Sequence, residues 1–159
     1  MNYSHEEYSR LVRRITDFTD RYQQVGLDHY KELHDYGTGE LYTSTEVHMV
    51  TRIEENPGIT AVKIAEITFR TKSAVSQMLS KLESKDLIYK EKDPSNGKQQ
   101  LLYVTAKGKQ LSLCHKAYDE ALMELPIQEL AEKFGMEAIE SYFDISEYVY
   151  RKYMNSKHK

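Results

Sequence analysis

The chain has 159 residues, of which 40% are hydrophobic and 30% are charged, and it contains one cysteine. This balance is typical of a folded globular protein and argues against a disordered one, while no apolar run approaches the ~20 residues of a membrane span. One cysteine excludes an intrachain disulfide, and the N-terminus lacks the layout of a secretory signal, so we expect a cytoplasmic protein without a membrane partner.

The net charge of −3 is distributed unevenly along the chain. The segment from Lys63 to Lys109 contains ten Lys or Arg residues and five Asp or Glu residues, so it carries +5 and the rest of the chain carries −8. A basic segment within an acidic chain indicates a local surface for a polyanion such as DNA. Random clustering of lysines is the alternative.

Apolar and aromatic residues recur at steps of three and four from about Tyr3 to Tyr36, before Gly37-Thr38-Gly39. The spacing predicts an amphipathic helix of about 50 Å, which is longer than a small core requires. We therefore expect a second copy of the chain to cover part of it. The candidate dimerisation residues on this helix are Leu11, Ile15 and Phe18.

Three short helices follow, each preceded by a threonine. Thr43 and Glu46 have the spacing of a capping box, and Asn56-Pro57-Gly58 ends the helix that they begin. Thr60 and Thr71 can cap two further helices. Two short helices joined by a tight turn predict a helix-turn-helix.

The helix after Thr71 divides into two faces. Val75, Met78, Leu79 and Leu82 form an apolar stripe, and Glu83 is the only acid between Lys72 and Lys85. Small hydroxyls allow a helix to enter the major groove, Gln77 can pair with adenine, and Lys81 can reach guanine or phosphate. The candidate DNA contacts here are Arg70, Lys72, Ser73, Ser76, Gln77, Ser80 and Lys81; a merely solvated face is the alternative.

Two β-favouring runs, 87–92 and 99–104, flank Asn96-Gly97, which is a strong signal for a hairpin. A hairpin directly after a recognition-type helix is a wing. Lys90, Lys92, Asn96 and Lys98 are the candidate DNA contacts on this wing, because cations there suit phosphates or the minor groove.

Thr105 can cap a fifth helix, which we expect to end near Pro126. The last segment is again aromatic-rich and helical, with candidate dimerisation residues Ile139, Tyr142, Phe143 and Val149. Both terminal segments have more apolar face than a winged helix can cover, so we expect them to intertwine with a partner copy. Burial onto the fifth helix of the same chain is the alternative.

The order of these elements resembles the MarR (multiple antibiotic resistance regulator) family. The residues that carry the resemblance are Ile64-Ala65-Glu66, Lys72-Ser73-Ala74-Val75-Ser76, Lys81-Leu82-Glu83, Leu87-Ile88, Asp93-Pro94 and Thr105-Ala106-Lys107-Gly108. The resemblance implies a mainly α protein with a small β wing: an N-terminal dimerisation helix (1–38), a winged helix-turn-helix (43–105) and C-terminal dimerisation helices (106–159). It also implies a homodimeric repressor that binds a palindromic operator in double-stranded DNA.

Three positions depart from the family pattern. The wing tip has Asn96-Gly97-Lys98 where the family usually has Asp, a variable residue and Arg, and lysine enters a narrow minor groove less readily than arginine. Asp86 stands where the family usually has glycine, and a left-handed conformation there carries a cost. The turn 68–70 lacks glycine.

Histidines suggest a regulatory site. His115 and Asp119 are four residues apart on the fifth helix, and His48 lies near the start of the second, so the three could hold one divalent metal. Family members that sense zinc resemble this chain at His48 and His115, and they have histidine at the position of Asp119; His29 or His34 of the first helix could supply a fourth donor. An apolar or aromatic effector in the same cleft is the alternative, and so are purely structural histidines.

No motif indicates an enzyme. Cys114 lies inside a predicted helix, and the chain has neither a nucleophile elbow nor a phosphate-binding glycine loop. We expect no obligatory cofactor. The alternative to a DNA-binding regulator is a winged helix that contacts another protein without binding DNA.

Overall fold

The computed structural model describes residues 4–29, 32–97 and 99–157, and for residues 19, 22–29 and 153–157 it describes the backbone only. The described residues form six helices: α1 His5–His29, α2 Ser44–Glu55, α3 Ala61–Thr68, α4 Lys72–Ser84, α5 Ala106–Phe134 and α6 Met136–Lys157. Five short strands complete the fold: β1 Leu33–His34, β2 Tyr42–Thr43, β3 Ile59–Thr60, β4 Ile88–Lys92 and β5 Gln100–Val104. The predicted class, mainly α with a small β wing, is confirmed.

The first helix is shorter than the prediction to Tyr36, because α1 ends at His29. Leu33 and His34 instead pair with Thr43 and Tyr42 as an antiparallel strand. Tyr36 has a positive φ of 51° and is buried. Its apolar side chain, which extended the helical pattern, belongs to the core between this small sheet and α5.

The predicted threonine caps are confirmed. Thr43 and Glu46 form both hydrogen bonds of a capping box at the start of α2. The hydroxyls of Thr60 and Thr71 accept from the backbone N–H groups of Lys63 and Ala74, the third residues of α3 and α4. Because these bonds are local, they could be derived from spacing alone.

The wing is a three-stranded antiparallel sheet in the order β3-β5-β4. The predicted hairpin is confirmed, with Lys90 opposite Leu102 and Lys92 opposite Gln100. Its connection is a loop over 93–99, closed where the Asp93 N–H donates to the Gln99 carbonyl at 3.0 Å, rather than a two-residue Asn-Gly turn. The edge strand β3 was not predicted, because two residues are too few to carry a periodic signal.

The prediction that the fifth helix ends near Pro126 is wrong, since α5 continues to Phe134. Proline cannot donate to the carbonyl four residues earlier. Residues 121–130 are all exposed, so water can satisfy that carbonyl and the helix can continue.

The buried core lies between α2, α3, α4, the wing sheet and the first half of α5. Its largest fully buried apolar side chains include Tyr42, Ile53, Ile64, Leu82 and Leu102. Long stretches of α1, α6 and the second half of α5 lie outside it. Among the helices that the structure describes, none is both long and apolar enough to cross a membrane.

Candidate nucleic-acid interface

Helix α4 presents one polar face to solvent. Val75, Leu79 and Leu82 are buried as predicted, and Met78 is half-buried against the same core. On the opposite side, all four predicted groove residues are exposed: Ser73, Ser76, Gln77 and Ser80. This face can form hydrogen bonds with base edges and carries no acidic group.

The turn before α4 positions two cations. Phe69 has a left-handed φ of 51°. Glycine adopts this conformation readily and bulky residues rarely do, but the turn contains no glycine. Arg70 follows Phe69, and Lys72 opens α4; both are exposed. Within the described ranges neither side chain has an ion pair, so both charges are available to a polyanion.

Lys81 is the predicted contact whose surroundings differ most from expectation. Its ammonium nitrogen lies 3.1 Å from Oε1 of Glu46, a carboxylate that is 1% exposed. Lys85 approaches the same oxygen at 2.7 Å. Burial opposes ionisation of Glu46, but the ion pairs with Lys85 and Lys81 and the hydrogen bonds from Thr43 outweigh it and lower its pKa to about 2. The carboxylate is therefore ionised and paired.

The wing cations have unequal surroundings. Lys90 lies 2.6 Å from the Glu83 carboxylate. Lys92 is exposed and has no carboxylate partner within the described part of the chain, and Asn96 lies exposed in the loop. Lys98 lies outside the described residues. The structure thus brings Lys92 and Asn96 to the wing surface, while the ammonium of Lys90 is already engaged.

The predicted histidine cluster forms between α2 and α5. His48, His115 and Asp119 each offer one ligand atom, and these atoms lie within 4.8 Å of one another. Nε2 of His115 lies 3.1 Å from a carboxylate oxygen of Asp119. His115 is 4% exposed, and this burial lowers the pKa of its imidazole, with partial compensation by the charge of Asp119. A neutral imidazole beside a carboxylate is a suitable donor set for zinc.

A hydrogen-bond chain behind His115 was not predicted. Nδ1 of His115 lies 3.3 Å from Oγ1 of Thr51, and the Ser112 hydroxyl donates to the same oxygen at 3.2 Å. These groups come from α2 and α5, so only the packed structure brings them together. The spacing of Ser112 and His115 on one helix face was the only sequence signal.

His34, one of the two residues considered as a fourth donor, lies in β1 and not in the first helix. Its ring packs against Tyr36 and Tyr118, with centroids 5.7 and 6.0 Å away. Tyr36 in turn lies edge-on to His115. His34 is therefore not in the three-residue cluster. The side chain of His29 lies outside the described residues.

The predicted dimerisation residues lie on exposed helix faces. Leu11, Ile15 and Phe18 on α1 and Tyr142, Phe143 and Val149 on α6 are all exposed, and Ile139 is half-buried. Phe18 and Tyr142 meet edge to face at 6.4 Å, so part of this apolar surface is covered within one chain. The remaining apolar side chains of these faces are exposed in the single chain.

The comparison with known sequences finds a family match for the middle of the chain. Residues 42–99, from β2 to the wing loop, match the model of the MarR family. The transcriptional regulator HosA of Escherichia coli O111:H- is 28% identical over 69 residues, which are 43% of this chain and 51% of HosA. The uncharacterized HTH-type transcriptional regulator YhjH of Bacillus subtilis (strain 168) is 26% identical over 72% of this chain and 66% of YhjH. The chain thus spans about half to two thirds of these relatives' lengths, and both relatives are named as transcriptional regulators.

Solved structures share the fold along most of the chain. Streptococcus pneumoniae FabT in complex with DNA matches 93% of this chain and 98% of its own, with a TM-score of 0.62 and 17% identity. Lactococcus lactis ZitR, described as a zinc-responsive MarR family member, matches 90% and 99%, with a TM-score of 0.64 and 22% identity. The segment 42–99 thus matches the MarR family model, and these solved structures share the fold of the chain.

Proposed function

We propose that the protein is a cytoplasmic, homodimeric repressor that binds a palindromic operator in double-stranded DNA. The observation that carries this proposal is the acid-free exposed face of α4, formed by Ser73, Ser76, Gln77 and Ser80 beside the wing. Its small hydroxyls permit close approach to bases, and Gln77 supplies the one amide that can read adenine bidentately. The described complex of FabT with DNA supports this proposal.

Affinity in this proposal comes from cations around that face. Arg70 and Lys72 lie at its N-terminal end, and Lys92 lies on the wing; none has an ion pair among the described residues. Each phosphate contact of this kind adds sequence-independent affinity that falls with salt. Phosphate contacts position the protein, and Gln77 with its neighbours provides the specificity.

Dimerisation provides the two-fold symmetry. The apolar faces of α1 and α6 are the surfaces that we assign to a second copy, because a closed homodimer buries the same patch on both chains. Two copies of α4 separated by roughly one DNA turn, about 34 Å, would read the two halves of a palindrome.

The test starts with selection of a binding sequence from random duplexes. We expect a palindromic consensus, and Gln77→Ala should weaken binding to it by about 1–3 kcal/mol with little change on random DNA. Gln128→Ala, an exposed amide on α5, is the matched control and should change neither. If no sequence is enriched and no duplex binds at low salt, the protein is instead a winged helix that contacts proteins.

Zinc binding is a second proposed function, and it depends on the cluster of His48, His115 and Asp119. Two imidazoles and one carboxylate within 4.8 Å fit zinc after a small closure, since tetrahedral zinc holds its ligands at about 2.0–2.2 Å. The zinc-responsive description of ZitR, which shares the fold, supports it. Bound there, zinc would supply a cross-link between α2 and α5, because His48 belongs to the first and the other two ligands to the second.

Calorimetry on chelator-treated protein tests the zinc site. We expect binding tighter than roughly 10 µM that is lost in His115→Ala and Asp119→Ala, and an operator affinity that changes in parallel. His5→Ala, at the exposed start of α1, is the matched control and should retain binding. Zinc affinity unaffected by His115→Ala would return the cluster to a structural role and favour an apolar or aromatic effector in the cleft.

A further inference from the structure

A buried carboxylate joins α2 to the C-terminal half of α4. Glu46 is 1% exposed, and its Oε2 accepts from the backbone N–H and the hydroxyl of Thr43 at 2.9 and 3.0 Å. Its Oε1 lies 3.1 Å from Nζ of Lys81 and 2.7 Å from Nζ of Lys85. Both carboxylate oxygens are thus engaged, one within α2 and one with α4.

Lys81 lies in the last turn of α4, and Lys85 directly follows the end of that helix. Lys81 is four residues after Gln77 and therefore lies near the face that we assign to the groove. Lys85 also forms a cation–π contact, because its ammonium lies 5.0 Å from the centre of the Tyr42 ring. The ammonium groups of both lysines are thus directed back towards Glu46 of α2.

We propose that Glu46 limits the sequence-independent affinity for DNA by withholding Lys81 and Lys85 from the DNA backbone, so that the C-terminal end of α4 makes no phosphate contact. The inference deepens the proposed function and rests on it, since it concerns the same helix in the same groove. Lys81, predicted from the sequence as a DNA contact, becomes a residue that positions the helix.

The physical basis is the cost of leaving a buried charge unpaired. Moving Lys81 to a phosphate would break one of the two ion pairs of a carboxylate that is buried from water. Leaving a buried charge less well paired carries a large cost in free energy. An ammonium on a phosphate, in contrast, adds affinity for every sequence equally. Holding both lysines therefore lowers the affinity for random DNA and for the operator by the same factor, and Gln77 and the serines supply the part of the operator affinity that distinguishes the two.

The test is the salt dependence of DNA binding in a double-mutant cycle of Glu46→Gln and Lys81→Ala. In the unaltered protein, Lys81→Ala should leave the slope of log affinity against log salt within about 0.3, because the lysine touches no phosphate. In Glu46→Gln, freed lysines should steepen the slope by about one to two and tighten random-duplex binding on the order of fivefold. Adding Lys81→Ala to Glu46→Gln should reduce the steepness of the slope again by about one.

Lys72→Ala is the matched lysine control at the opposite end of α4. It has no ion pair among the described residues and should lower the slope by about 0.9. DNA binding with a normal Lys72 effect but a slope lowered by about 0.9 in Lys81→Ala would overturn the inference and leave the proposed function intact. Absence of DNA binding would instead overturn the proposed function. If Glu46→Gln does not fold, Lys81→Ala alone still decides.

Discussion

A Cβ atom placed on Gly108 would lie 1.9 Å from the carbonyl oxygen of Leu87. The first turn of α5 therefore packs directly onto the backbone that enters strand β4. Thr105 strengthens the same junction, because its N–H donates to the Leu87 carbonyl at 3.0 Å and its hydroxyl to the Asp86 carbonyl at 2.6 Å. This contact fixes the wing relative to α5, which leads to the proposed dimerisation region.

Gly108→Ala should destabilise the fold by more than about 2 kcal/mol, because the added carbon meets a backbone atom that only a shift of β4 or α5 can move. Denaturant unfolding measures the change. Gly97→Ala, in the open wing loop with no atom within 4 Å of the new carbon, is the control and should change the unfolding free energy by less than about 0.5 kcal/mol. Equal effects of the two substitutions would contradict the close packing.

Asp86 should be replaceable by glycine with a gain in stability. Its φ is 58°, the left-handed region in which a side chain is strained and glycine is not. We expect Asp86→Gly to raise the unfolding free energy by about 0.5–1 kcal/mol. Asp86→Ala, which keeps the Cβ atom without the polar group, should lower it instead, and a gain in both variants would show that the backbone strain is unimportant.

Features determined by neighbouring residues could be predicted from the sequence. The capping box of Thr43 and Glu46 and the buried stripe of α4 follow from local spacing, whereas the left-handed conformation at Asp86 was indicated by the family resemblance, which places glycine there. The candidate interface on α4 was predictable for the same reason, since helical periodicity alone separates its two faces.

Contacts between distant residues could be predicted only where the family resemblance indicated them, as at His48 and His115. Glu46 was recognised as a capping residue, but its ion pairs with Lys81 and Lys85 join residues more than thirty positions apart. The chain from His115 through Thr51 likewise joins α5 to α2. Pro126 was misjudged because whether a helix tolerates proline depends on exposure of the preceding carbonyl, which no local pattern reports.

The two described wing lysines should differ on DNA. Lys92→Ala should reduce the salt slope by about 0.9, because this lysine has no ion pair among the described residues. Lys90→Ala should reduce it by less than half as much, since the Lys90 ammonium already lies 2.6 Å from Glu83. Filter binding across a series of salt concentrations distinguishes them. Identical slopes in the two variants would show that the Lys90 ion pair does not persist on DNA.

Phe143→Asp should dissociate the proposed dimer. The Phe143 side chain is 63% exposed in one chain, next to Tyr142 and the α1 contact at Phe18, so a carboxylate there would be buried on association without a partner. Light scattering at micromolar concentration should report a dimer for the unaltered protein and a monomer for the variant. Val62→Asp, an exposed apolar residue of α3 outside the terminal helices, should remain dimeric. A folded monomer in the unaltered protein would overturn the assembly.

Glu46 should contribute stability that depends on pH. Its pKa is about 2 in the folded protein against an ordinary value of 4.5, so its contribution is complete above pH 4.5 and is lost as the pH falls towards 2. We expect Glu46→Gln to cost about 2–3 kcal/mol at neutral pH, because both lysines lose a buried counter-charge. The difference between the two proteins should shrink below pH 4.5. Glu66→Gln removes an exposed pair with Lys63 and should cost less than about 0.5 kcal/mol at any pH. A Glu46→Gln penalty that stays constant down to pH 3 would mean that the stability comes from packing of the side chain and not from its charge.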